Sequence, residues 1–232
     1  MDARRGLCAI AGLLCLGSAC SRVGSTTGQL YGTDPGPWVS GFWWTTDKGY
    51  QNRIFVQATM VDYRNACQDH VSLLADYLAA AELYKGGTVD LDGLALALEE
   101  ADKQWLPDKR WVFDFEIQPS NLDSVPDTYP TGPEFGLSVW EIWQQTNWYD
   151  ELGLLESGSS EPTCFASVEG EARVLAFADG ADFVAEGEVA MVDCYQQADA
   201  GAIGFEFTLP TCQGFSELQD AWQDQLSDIL GG

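Results

Sequence analysis

The stretch Ile203-Gly204-Phe205-Glu206-Phe207-Thr208-Leu209 places a large apolar side chain at every second position, with small or polar residues between. A period of two belongs to a strand with one face buried and the other wet. Upstream, residues 164–178 and 183–194 are β-rich runs on either side of Asp179-Gly180, so the C-terminal third reads as an antiparallel meander. Ser216-Glu217-Leu218-Gln219 has the form of a capping box. It opens a helix with Leu218, Trp222, Leu226 and Ile229 along one stripe, which should lie on the sheet.

The first half is mixed. Residues 38–46 and 53–61 flank Asp47-Lys48-Gly49, and Ile54, Val56, Ala58 and Met60 alternate, predicting a hairpin. Asn65-Ala66-Cys67-Gln68 follows, with Asn65 as the expected cap of a helix carrying Val71, Leu74 and Leu78 and ending at Gly86-Gly87. Leu91, Leu94, Leu98 and Trp105 set out a second helix that Pro107 stops. In residues 111–118, Phe113, Phe115 and Ile117 alternate with Asp114 and Glu116, again one dry face and one wet. Residues 119–136, with their prolines, read as a long irregular loop, and residues 137–143 as a further strand. The sum is an α+β fold: a mainly antiparallel sheet, a two-helix insertion and a C-terminal amphipathic helix on the sheet, with no internal repeat.

The chain begins with Arg4-Arg5, an apolar run over residues 6–16, and the small residues Gly17-Ser18-Ala19 before Cys20. The run is too short to span a bilayer and reads as a secretory signal. Cys8 and Cys15 leave with it, and Cys20, Cys67, Cys164, Cys194 and Cys212 remain. Five is odd, and lipidation of Cys20 leaves an even set of four. The segment resembles the bacterial lipoprotein signal, although Leu16 stands one place earlier than the usual leucine, which keeps soluble secretion as the alternative. Ser21 in place of the aspartate that marks inner-membrane retention implies the outer membrane. The organisation is therefore signal 1–19, lipidated Cys20 with a linker over 20–28, and one domain over 29–232. The linker, at ~3.3 Å per residue, would lift the domain by about 25 Å. Anchoring follows from acyl chains at about 0.8 kcal/mol per buried CH₂.

The four later cysteines allow three pairings. If Asp179-Gly180 is the turn, Cys164 lies nearly opposite Cys194, leaving Cys67 with Cys212. The pattern around these cysteines is similar to that of small disulfide-containing envelope lipoproteins of Gram-negative bacteria, a likeness that implies a stapled, β-rich exported domain and transfers no functional residue.

Formal charge is −25, and −26 once Asp2, Arg4 and Arg5 leave with the signal. That field disfavours nucleic acid, anionic lipid headgroups and acidic glycans, and favours solubility first and cations, basic proteins or neutral sugars second. His70 is the only histidine. It excludes a His-rich zinc site and, with no G-x-S-x-G, reads as a surface or capping residue. Asp90-Leu91-Asp92-Gly93 has its glycine too early for a calcium loop and reads as a helix start. No cofactor or metal is called for. Carboxylate chemistry remains: Asp114 and Glu116 on one strand face, with Glu141 approaching from a neighbouring strand, are the candidate pair or trio of a glycoside hydrolase. Trp43, Trp44, Trp140, Trp143 and Trp148 are candidates for a stacking platform under a neutral glycan, or else core. The expectation is an envelope protein with a non-catalytic binding or structural role, its partners the membrane through the anchor and an envelope protein or neutral glycan. The alternative is the carboxylate-dependent glycosidase.

Overall fold

The computed structural model describes residues 23–47, 54–118, 127–133, 135–143, 146–154, 163–177 and 182–231. The signal, Cys20, the Lys48-Gly49 and Asp179-Gly180 turns and most of the 119–134 loop lie outside the described residues. Nine strands are assigned: β1 (Gly24–Gly28), β2 (Ser40–Asp47), β3 (Ile54–Val61), β4 (Arg110–Ile117), β5 (Asp127–Pro130), β6 (Phe135–Ile142), β7 (Thr163–Ala176), β8 (Phe183–Asp193) and β9 (Asp199–Leu209). The helices are α1 (Ala66–Lys85), α2 (Leu91–Trp105), the single turn α3 (Trp148–Glu151) and α4 (Phe215–Gly231). The fold is α+β.

The nine strands pair antiparallel in one curled sheet of order β1-β9-β8-β7-β6-β4-β3-β2, with β5 added on β7. The curl closes on itself. Trp43 N–H donates to Pro210 C=O at 3.1 Å and Cys212 N–H to Trp43 C=O at 3.3 Å, so β2 meets the chain leaving β9. The alternation read in the sequence fills the interior, where Met60, Phe113, Leu137, Ile203 and Leu209 are buried. Phe115 has the rings of Phe135, Phe183, Phe205 and Phe207 at 5.2 to 6.0 Å. Each such side chain contributes roughly 1.5–3 kcal/mol by leaving water.

The opposite faces of β2, β3 and β4 carry Phe42, Val61 and Val112, which seat the helices in a second apolar layer with Leu73, Leu94, Leu98, Phe215 and Trp222. The stripe of α4 meets α1 as well as β2. At the centre of this layer Asp102 of α2 is wholly buried and accepts hydrogen bonds from the Tyr77 hydroxyl of α1 and from Trp148 Nε1 of α3, the latter at 3.2 Å. The disulfides are Cys67–Cys212 and Cys164–Cys194. Phe165 pairs with Asp193 across β7 and β8, which brings Cys194 N–H to 3.0 Å from Cys164 C=O.

Four local expectations change. Residues Gly24–Gly28 are not linker: they form β1 on β9, because glycine, serine and threonine extend readily once a partner strand offers hydrogen bonds. Part of the presumed 119–136 loop is β5, whose exposed Thr128 and Pro130 flank the buried Tyr129. Asn65 adopts a left-handed conformation (φ 66°) and makes no side-chain cap; Ser40 Oγ accepts from Ala66 N–H at 3.1 Å instead. Ser216 stands one residue inside α4 and donates to Thr45 C=O at 3.1 Å, tying the helix to β2.

His70 is not a surface residue. Its ring meets Phe42 edge-on at 5.4 Å and Phe215 at 6.2 Å, while Nδ1 lies 2.7 Å from Ala66 C=O. Burial among these rings pushes its pKa down to about 4 from 6.5, and the Arg110 charge acts in the same direction. Between pH 6.5 and 4 the unfolded chain takes up a proton that the folded one refuses. The contribution is therefore complete above pH 6.5 and lost as pH falls to about 4. A full shift would be worth about 3 kcal/mol and a partly accessible ring edge trims it to about 2. Urea midpoints measured across this window should fall less steeply for His70→Gln than for the parent.

Candidate functional site

Beyond the edge of the helical layer the outer face of the sheet is open. Strand alternation puts Gln57 and Thr59 of β3, Asp114 and Glu116 of β4, and Gly136 and Ser138 of β6 on this face, and the register aligns them in two rows. One row is Trp44, Gln57, Glu116 and Gly136; Phe42, Thr59, Asp114 and Ser138 make the other.

 Trp44, Gln57, Asp114, Glu116, Gly136 and Ser138 line a trough of about 410 Å³.

Glycine at 136 makes the hollow: a Cβ there would meet no atom within 4 Å. Gln57 Nε2 donates to Glu116 Oε2 at 2.6 Å, which fixes that carboxylate. Asp114 is bonded by the Thr59 hydroxyl. Its side chain is exposed on the trough side, and the protein around it removes part of its hydration. This desolvation pushes its pKa up to about 6, against the opposing effect of the Thr59 bond. Trp44 forms one wall, its ring held by Phe42 at 5.4 Å and Phe215 at 4.8 Å. The trough thus offers fixed acceptors, an amide, a hydroxyl and one aromatic wall, a set suited to ligands with several hydroxyl groups.

The structure separates the other candidates. Glu141 pairs with Trp111 and so lies on the opposite sheet face from Asp114, whose partner is Ser138; odd and even positions of β6 cannot share a face. Glu141 instead binds Lys109 Nζ at 3.3 Å, and that ammonium sits 3.7 Å from the ring centre of Trp143. Trp143 is 55% exposed and belongs to this separate cluster. Trp43 is buried in the barrel beside Phe177 and Phe183, and Trp148 is buried against Tyr77 and Trp222. Trp140 is half-buried on the outer face opposite Val112. No five-tryptophan platform forms, because adjacent strand residues point to opposite sides, and only Trp44 lines the trough. Gln57, Thr59, Gly136 and Ser138 had no sequence signal of their own; only register brings them to the two acids.

Asp90 accepts from Gly93 N–H at 2.9 Å as the cap of α2, which is the helix start read from the sequence. Among the described residues no three His, Cys, Asp or Glu side chains gather as a metal site, and no helix is long and apolar enough to cross a membrane. The disulfides indicate an oxidising, extracytoplasmic compartment. The chain matches no protein-family model, no curated protein and no solved structure.

Proposed function

We propose that the protein is an exported envelope lipoprotein, anchored in the outer membrane through Cys20, with a non-catalytic binding role, and that the trough over Asp114 and Glu116 receives a neutral glycan. The observation that carries this reading is the trough itself: among the described residues, a hollow with oriented hydrogen-bonding groups beside an aromatic wall. The acidic charge supports a neutral rather than anionic sugar, since a carboxylated or phosphorylated chain would meet repulsion.

Filling the hollow tests it. Gly136 has an ordinary strand conformation and open space at its Cβ, so Gly136→Leu occupies the trough without strain in the strand. Titration calorimetry with neutral oligosaccharides of amino sugars should show saturable binding to the parent. The variant should lose binding at least tenfold, on the order of 1.4 kcal/mol, while keeping its unfolding temperature. Equal binding by parent and variant removes the trough from consideration. Mass spectrometry of the membrane-extracted protein tests the anchor, which requires acyl chains on Cys20.

The acid pair favours a second reading, glycoside hydrolysis. Alternate residues of a strand stand about 7 Å apart, within the separation of about 6.5–9.5 Å used by inverting enzymes. Asp114, with its pKa near 6, would protonate the leaving oxygen while Glu116 activates water. Release of reducing ends from the same oligosaccharides, abolished in Asp114→Asn with binding retained, would establish that reading over simple binding.

A further inference from the structure

Because β1 begins at Gly24 and Val23 C=O already accepts a hydrogen bond from Thr208 N–H at 2.8 Å, the chain is held on the sheet from Val23 onward. Three peptide units separate Val23 from Cys20, a reach of about 10 Å at full extension. A tether this short selects which part of the domain meets the surface holding the acyl chains. Around Val23 the register lines up Thr208 of β9, Val184 of β8 and the Leu175–Ala176 end of β7. Val23, Leu175, Val184 and Thr208 border one side of a shallow groove of about 370 Å³ that Ser25, Glu186 and Glu206 also line, and Leu175 is 37% exposed. The next row along the strands is charged: Ser25, Glu206, Glu186 and Arg173 lie across the same strands, with Ser25 Oγ donating to Glu206 at 3.2 Å.

We infer that the apolar row of Val23, Val184 and Leu175 is the membrane-facing edge of the domain, resting on the lipid surface to which Cys20 tethers it. This rests on the lipid anchor proposed above. The length of chain between the anchor and the fold names the occupant, since no other surface is held within 10 Å of Val23 by covalent connection. The row of Glu206 and Glu186 sets the depth, because carboxylates resist leaving water. The orientation also places the trough: around the closed sheet β4 is three strands from β8 in one direction and three from β9 in the other, so its outer face turns away from the membrane.

Hydroxyl-radical footprinting of the native lipidated protein on phosphatidylcholine vesicles, read by mass spectrometry, tests the inference without altering the domain. The soluble Cys20→Ser protein provides the reference. Leu175 and Val184 should be protected several-fold on vesicles, while Leu83 and Leu96, 49% and 48% exposed on the helices, oxidise at unchanged rates. If Cys20 is acylated, the protein is bound to vesicles and Leu175 oxidises as it does in solution, the orientation is wrong and the anchor stands. If Cys20 carries no acyl chain, the anchor reading fails and takes this one with it. Protection of Leu175 in the soluble protein that disappears on dilution would give the edge to a second copy of the chain and overturn the inference.

Discussion

Replacing Cys67 and Cys212 together by alanine lowers the stability of the folded domain by about 4–5 kcal/mol, a large part of what a domain of this size possesses. The bond joins residues 145 positions apart, the start of α1 to the segment just past β9, with a Cα separation of 5.5 Å. Without it the unfolded chain regains the freedom of that long loop. In the folded state the bond lies where the barrel closes, next to the Cys212 N–H bond to Trp43, so its loss also loosens the seam between β2 and the end of β9. Cys164–Cys194 closes a span of only 30 residues between strands that are already paired. The chain-entropy difference between the two loops is about 1.4 kcal/mol. Urea unfolding of the two double-alanine variants under oxidising conditions should rank them accordingly; equal losses would mean that the paired strands, and not loop length, set the contribution of each bond.

Asp102→Leu should cost about 3–5 kcal/mol, the loss expected when one partner of a buried polar network is removed. Asp102 gathers the Tyr77 hydroxyl from α1 and Trp148 Nε1 from α3, and Arg110, itself buried, interacts with its charge. Leucine fills the space and leaves both donors without an acceptor, whereas Asp102→Asn keeps one acceptor oxygen and should lose only about 1–3 kcal/mol. Burial raises the pKa of Asp102 above 3.8, against its hydrogen bonds to Tyr77, Thr146 and Trp148. Protonation of this group therefore favours the folded state, and its contribution shrinks as pH rises through the window above 3.8. The gap between parent and Asp102→Asn should accordingly be widest in acid and narrowest at neutral pH. A gap that instead widens towards neutral pH would show that Asp102 is held as a stabilised anion. Because His70 is present in both proteins, its own acid sensitivity cancels from the comparison.

Legibility in the sequence followed periodicity. Phe113, Phe115 and Ile117 and the run from Ile203 to Leu209 announce their burial, because a strand has two faces and each was written with one kind of residue. The stripe of α4 and the stop of α2 before Pro107 were equally plain. What failed were readings that depend on a partner distant in sequence. Gly24–Gly28 has linker composition and becomes a strand only because β9 presents an edge. Ser40 takes over the role expected of Asn65 across 26 residues. Glu141 had the residue type of a catalytic acid and lay on the neighbouring strand, but without the parity. The buried cluster of Tyr77, Asp102 and Trp148 had no local sign, since three polar groups on three separate helices acquire a common purpose only when those helices pack.

The sequence by itself determined the fold class, the two-helix insertion, the C-terminal helix and the wet face that carries Asp114 and Glu116, because backbone geometry turns the order of apolar and polar residues directly into faces. The tertiary structure alone decided how the barrel closes, which side chains stand beside the two acids, that Trp43 and Trp148 are core, and that Gly24–Gly28 is a strand. Those outcomes depend on register and packing between segments far apart in the chain, and the energy that selects one register over another is spread across many contacts that no local pattern records.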